Sequence, residues 1–175
     1  MDIKDRIWND LTTTDYQAIY ASLYNTTVRK LSDGINLFTT FVSSASVGGW
    51  AIWDELPGLW GALIASSQFV NLAKPYIPRI RDNELYHELQ LYYQERHHEL
   101  DDLWFQISQG ELTETEMKDE YRKIHQKFFN LSKKFLKVRI PKRDKLAAKA
   151  ELEWEQSLAK YGISSDENVE EHEED

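Results

Sequence analysis

The 175-residue sequence predicts an all-α protein built around a two-helix transmembrane hairpin, with a helical segment before it and a helical coil after it. Three observations predict this. Two long runs, residues 35–53 and 56–73, contain no charged residue and are separated only by Asp54 and Glu55. Outside them, apolar residues recur at spacings of three and four, the pattern of amphipathic helices. No segment alternates apolar and polar residues for long, so strands are not expected.

Composition narrows the function classes. The chain is 41% hydrophobic with a mean hydropathy of −0.62, but that average conceals the segregation of charge. A net charge of −9 gives duplex nucleic acid no attractive field to meet. With no cysteine there is no disulfide framework, thiolate metal site or cysteine nucleophile. The first charge-free run lies behind a tyrosine-rich polar segment, unlike a cleavable signal peptide, so a membrane segment is expected to be retained.

Residues 1–33 are read as an N-terminal cytosolic helical segment. Ile3, Ile7, Trp8 and Leu11 suit a short amphipathic turn over 2–11. Thr14 and Gln17 match a capping box for a helix over about 15–33, with Tyr16, Tyr20, Leu23 and Thr27 at three-four spacing.

Residues 34–78 form the predicted hairpin, with helices at about 35–53 and 56–74. The first run spans roughly 28 Å as a helix, close to the thickness of bilayer hydrocarbon. Asp54, Glu55, Pro57 and Gly58 make the turn. Arg29 and Lys30 precede the hairpin, and Lys74, Arg79 and Arg81 follow it, while the turn is acidic. The positive-inside rule therefore puts both termini in the cytoplasm. Trp50, Trp53 and Trp60 at the turn and Tyr76 at the other end are expected interface anchors. Gly58, Ala62 and Ser66, with Gly61 and Ala65, give the small-residue spacing of close helix contacts.

Asn36, Thr39, Thr40, Ser43 and Ser46 lie along one broad face of the first run, and Ser67, Gln68 and Asn71 make a polar end on the second. In lipid such groups need partners, so the chain is expected to form a homo-oligomer among membrane lipids. The face then lines an aqueous path or makes interhelix hydrogen bonds. The same pattern also suits a soluble helical bundle whose core is this hairpin, because the first run has few leucines.

Residues 79–162 read as a cytosolic helical domain. Leu85, Leu89, Tyr92, Leu100, Leu103 and Ile107 share a stripe interrupted by Arg96, and Gly110 ends it. Thr113 and Glu116 form a capping box ahead of Met117, Tyr121, Ile124, Phe128, Leu131, Phe135 and Val138, giving an antiparallel partner. After Pro141 a last helix over about 143–161 carries Ala147, Ala150, Trp154, Leu158 and Tyr161 before Gly162. Residues 163–175 are acidic and aperiodic, the composition of a disordered tail.

His97, His98 and Glu99 lack HExxH spacing, and neighbouring side chains on a helix diverge by about 100°, so they read as a surface cluster that His125 joins if the helices pair. No phosphate loop, nucleophile elbow or carboxylate pair is present; neither an enzyme nor a cofactor is expected. The segment KKFLKVRIPKRDK, residues 133–145, has seven basic residues and one acid. Its Lys133, Lys134, Lys137, Arg139, Lys142 and Arg143 suit a nucleotide or oligonucleotide phosphate, anionic lipid or an acidic protein segment. They equally suit a solvated basic face near a helix C-terminus. DENVEEHEED, residues 166–175, carries seven acids and is expected to screen that segment, so deleting 164–175 should raise resting activity or ligand affinity.

The order of elements, with LSKKFLKVRIP ahead of the Ala/Glu-rich KLAAKAELEWEQ, resembles the SLATT-type two-transmembrane effectors of bacterial conflict systems over about residues 14–161. The resemblance implies a pore-forming or membrane-disrupting effector of the bacterial inner membrane. It would stay inactive until a nucleotide or oligonucleotide messenger from a partner nucleotidyltransferase appears during phage infection, and opening would depolarise the host. The reading from a different class is a membrane-anchored interaction protein that conducts nothing.

Overall fold

A single helix, α1 (Ile3–Gly48), runs through what the sequence divided into a turn, a capped helix and the start of a membrane run. The reason is that nothing in it stops a helix. The first proline is Pro57, and a lone Gly34 costs only about 1 kcal/mol against alanine, too little to end a long helix. Thr14, the expected cap, is instead buried mid-helix.

The computed structural model describes residues 2–48, 57–77, 82–136 and 138–162. Trp50, Trp53, Asp54, Glu55, Arg79, Arg81, Lys137 and residues 163–175 lie outside the described residues, as do the side chains of Ser46 and Trp60. All regular structure among the described residues is helical. After α1 come α2 (Pro57–Ala73), α3 (Asn83–Ser108), α4 (Glu114–Ser132) and α5 (Asp144–Leu158), with 3₁₀ turns at Lys74–Tyr76, Lys133–Phe135 and Ala159–Tyr161. No helix among the described residues is long and apolar enough to cross a membrane.

The chain divides into two compact units, one made of Met1–Tyr24 with Leu85–Asp175 and the other of Asn25–Glu84. We call the first the bundle and the second the hairpin.

The bundle packs around Ile7 and Leu11 of α1, Leu100, Leu103 and Ile107 of α3, and Met117 and Tyr121 of α4. Trp8 covers one end of this core, 4.9 Å from the Trp104 ring and 5.3 Å from Tyr161. Glu88 pairs with Lys134 and Glu95 with Lys127, so α3 and α4 run antiparallel, as their sequences predict. Gly110 ends the first of them with φ of +73°, a left-handed conformation that glycine adopts without a Cβ penalty. The Thr113 capping box forms as expected: the hydroxyl accepts from the Glu116 backbone, and the Glu116 carboxylate accepts from the Thr113 N–H at 2.8 Å. α5 lies along α1, with the Trp154 indole N–H donating to the Thr12 carbonyl at 2.9 Å. Small residues make that side: Ala18 and Ala21 of α1 and Ala147 and Ala150 of α5 are buried.

The buried stripe of α1 in the bundle is Ile7, Leu11, Thr14, Ala18 and Ala21. Tyr16, Tyr20, Leu23 and Thr27, the stripe expected from three-four spacing, are only half-buried. The four-three spacing continues along the helix through Asn25 and Val28, and through Thr39 and Val42 in the hairpin, all buried.

The hairpin has an unusual distribution of polarity. Its buried positions among the described residues are Asn25, Val28, Thr39, Val42 and Ser67. Its exposed ones include Leu37 at 73%, Phe41 at 67%, Phe69 at 71% and Leu72 at 72%. The bundle also exposes Phe105, Phe129 and Leu136, but over an interior of leucine, isoleucine and aromatic side chains. The hairpin thus leaves large apolar side chains exposed over a partly polar interior.

Candidate functional site

The polar candidates of the first run separate by depth. Thr39 is buried, and its hydroxyl donates to the Asn36 carbonyl at 3.0 Å. Asn36, Thr40 and Ser43 are exposed. The Ser43 hydroxyl donates to the Thr39 carbonyl at 2.7 Å. Asn36 Oδ1 accepts from Lys74 Nζ, so the hairpin's two helical arms meet at this end through a cation. The face expected as one broad surface is therefore a buried edge at Thr39 and an exposed flank at Asn36, Thr40 and Ser43. Ser46 belongs to the same run, its side chain outside the described residues.

Helix geometry accounts for the division. Inner positions of α1 in the hairpin are Val28, Ser32, Ile35, Thr39 and Val42, all buried or half-buried. Arg29, Asp33, Asn36, Thr40 and Ser43 each follow one of these by one residue, about 100° round the helix, and all are exposed. The flank thus carries its own four-three repeat, with charge at one end and amide and hydroxyl groups along the rest.

On α2, Ser67 is buried at 2% exposure, with no hydrogen-bond partner for its hydroxyl among the described residues. Gln68 and Asn71 are exposed. Gly58, Gly61, Ala62, Ala65 and Ser66 are exposed too, and a Cβ added at either glycine meets nothing within 4 Å. The small residues therefore face away from the hairpin's own contact. Of the expected interface anchors, Tyr76 is 84% exposed at the end of its 3₁₀ turn.

In the bundle, the basic candidates are spread over different partners. Lys134 Nζ lies 2.6 Å from Glu88 Oε2. Lys133 donates to Asn130 Oδ1 at 3.2 Å and stands over the Phe129 ring. Arg143 is half-buried over the Tyr24 ring at 5.9 Å. Tyr20 holds this segment by its backbone, donating to the Pro141 carbonyl at 3.0 Å and accepting from the Arg143 N–H at 2.9 Å. Arg139 and Lys142 are exposed.

A polar cluster that sequence spacing did not reveal sits between α1, α3 and α4. Asp10 takes both of its 2.8 Å hydrogen bonds from Arg96 Nη2, and it accepts from Tyr121 Oη at 3.3 Å. His125 Nε2 lies 2.8 Å from that phenol oxygen and 3.3 Å from Asp10. Burial, and then the Asp10 charge, push the Tyr121 phenol above its ordinary range. Tyr161 is pushed up more strongly, by burial and by its 2.6 Å hydrogen bond to Asp101. The expected histidine cluster is dispersed: His125 belongs to Asp10, His97 lies 3.5 Å from Asp15, and His98 points outward beside Asp102. Among the described residues no three histidine or carboxylate groups come together as a metal site.

A groove of about 360 Å³ opens between α3 and α4, with Leu91, Tyr92, Leu131 and Phe135 as its apolar lining and Glu88, Glu95 and Lys134 around them. Two carboxylates against one paired lysine make it a poor receptor for phosphate. No protein-family model, curated protein or solved structure matches the chain.

Proposed function

We propose that the chain is a membrane effector of a bacterial anti-phage system, whose hairpins assemble into an oligomeric ion-conducting or membrane-disrupting pore under control of a nucleotide or oligonucleotide signal. The observation that carries this reading is the set of large apolar side chains that the hairpin leaves exposed while burying Asn25, Thr39 and Ser67. Withdrawing a large apolar side chain from water is worth about 1.5–3 kcal/mol. Leu37, Phe41, Leu59, Phe69 and Leu72, all more than half exposed, together leave on the order of 10 kcal/mol unclaimed in water, as much as the whole stability of an ordinary domain. A bilayer recovers that energy. The polar flank of α1 lowers the helix's hydropathy, as befits a helix that meets other copies or water on one side.

The signalling part rests on the order of elements and on the basic segment before the last helix. Lys133, Arg139 and Lys142, exposed and in no ion pair among the described residues, are the cations best able to meet an anionic messenger.

A second reading, a membrane-anchored interaction protein without conductance, is favoured by the hydroxyls of Thr39 and Ser43, which satisfy themselves on α1 carbonyls. Two measurements separate these readings. Membranes holding the full chain are washed at alkaline pH; retention is expected, and release into the supernatant would sink both membrane readings. The purified chain is then tested in a planar bilayer with and without a nucleotide extract from infected cells. Current that depends on the extract supports the effector, and a silent bilayer leaves the anchor.

A further inference from the structure

The exposed flank of α1 joins charge to the polar stripe in one register. Arg29, Asp33, Asn36, Thr40 and Ser43 follow one another at intervals of four and three on an uninterrupted helix. A path lined by Asn36, Thr40 and Ser43 therefore has Arg29 and Asp33 at its cytoplasmic mouth. Lys74 adds a third charge, since its ammonium is held against Asn36 by a hydrogen bond across the hairpin. Every subunit then contributes two cations and one anion to the mouth. Lys30, the next cation on α1, lies about 100° beyond Arg29 and off the stripe.

We infer that the pore selects small inorganic anions over cations, with Lys74 and Arg29 as the selecting residues and Asp33 opposing them. This rests on the pore reading above. The physical reason is that rings of lysine or arginine at a constriction raise the local anion concentration and repel cations. Lys74 contributes most directly because the bond to Asn36 fixes its charge beside the polar stripe, where a free lysine would reach away into bulk water. The contrary charges in the sequence between the two arms are Asp54 and Glu55.

The test is the reversal potential of the full-length chain in a planar bilayer under a potassium chloride gradient. Chloride preference is expected. Lys74→Gln, which can still donate to Asn36, should lower the chloride-to-potassium permeability ratio about fivefold, the effect of one unit charge near a surface, and Arg29→Gln should act likewise. Asp33→Asn should raise the ratio, a change in the opposite direction that misfolding does not produce. Potassium preference in the unaltered chain, reversed by Asp54→Asn and Glu55→Gln, would overturn the inference, as would a ratio unmoved by Lys74→Gln and Arg29→Gln with conductance intact. A chain that carries no current under any condition removes the pore reading itself, a different result from a pore of the wrong selectivity.

Discussion

Arg96 and Asp10, 86 residues apart in sequence, form the ion pair that ties α3 to α1, with the Arg96 Nη2 atom 2.8 Å from both Asp10 oxygens. This explains a cation in the middle of an otherwise apolar stripe. The pair is mostly buried, with side chains 17% and 19% exposed. Arg96→Ala leaves a carboxylate inside the bundle with only Tyr121 and His125 to meet it. A loss of about 2 kcal/mol is expected by chemical denaturation, with much of it absent when Asp10→Ala is already present.

Thr39 and Thr40 are neighbours with different surroundings, one buried in the hairpin and the other on its exposed flank. If the flank lines the conducting path, Thr40→Leu and Ser43→Leu should each reduce single-channel current severalfold. Thr39→Val should leave it nearly unchanged. Equal effects from all three would show that hairpin packing, and not the flank, sets the current.

Tyr161 gives the bundle an alkaline weakness. Its folded pKa is raised above the ordinary 10.0, so the unfolded chain releases this proton first. Its contribution is therefore complete below about pH 10 and is lost as pH rises above that value. Tyr161→Phe should flatten the fall in melting temperature between pH 10 and higher values, read by circular dichroism.

The Thr113 capping box acts at the acid end. Hydrogen bonds from the Thr113 hydroxyl and backbone hold the Glu116 carboxyl below its ordinary 4.5. That stabilisation is present above the ordinary value and is lost as pH falls through the lowered one. Thr113→Ala should lower the melting temperature by a few degrees at neutral pH and weaken the acid dependence.

Local chemistry made much of the bundle legible. The Thr113–Glu116 box, Gly110 and Pro141 each act within a few residues, and they mark α4, the end of α3 and the approach to α5 as the sequence predicts. The first helix was misread for a physical reason. Thr14 and Gln17 have capping chemistry, but a cap forms only where something ends the preceding helix, and residues 2–48 contain no proline. Its buried stripe gives a weak hydropathy signal because Thr14, Ala18 and Ala21 are small, while the larger Tyr16 and Tyr20 beside them share the same spacing. The site was legible as residue types along a face. Which of those residues turn inward is set by tertiary packing, and the Lys74–Asn36 bond spans 38 residues, beyond the reach of periodicity.

The one-residue offset between the inner stripe of α1 and its exposed flank has a mechanical consequence. Both stripes keep the same four-three repeat, so a rotation of the helix about its own axis by roughly 100° would bring Asn36, Thr40 and Ser43 to the azimuth of Ile35, Thr39 and Val42 with an axial offset of only about 1.5 Å. The helix carries two faces cut to the same pitch, the inner one mixed and the outer one polar and charged.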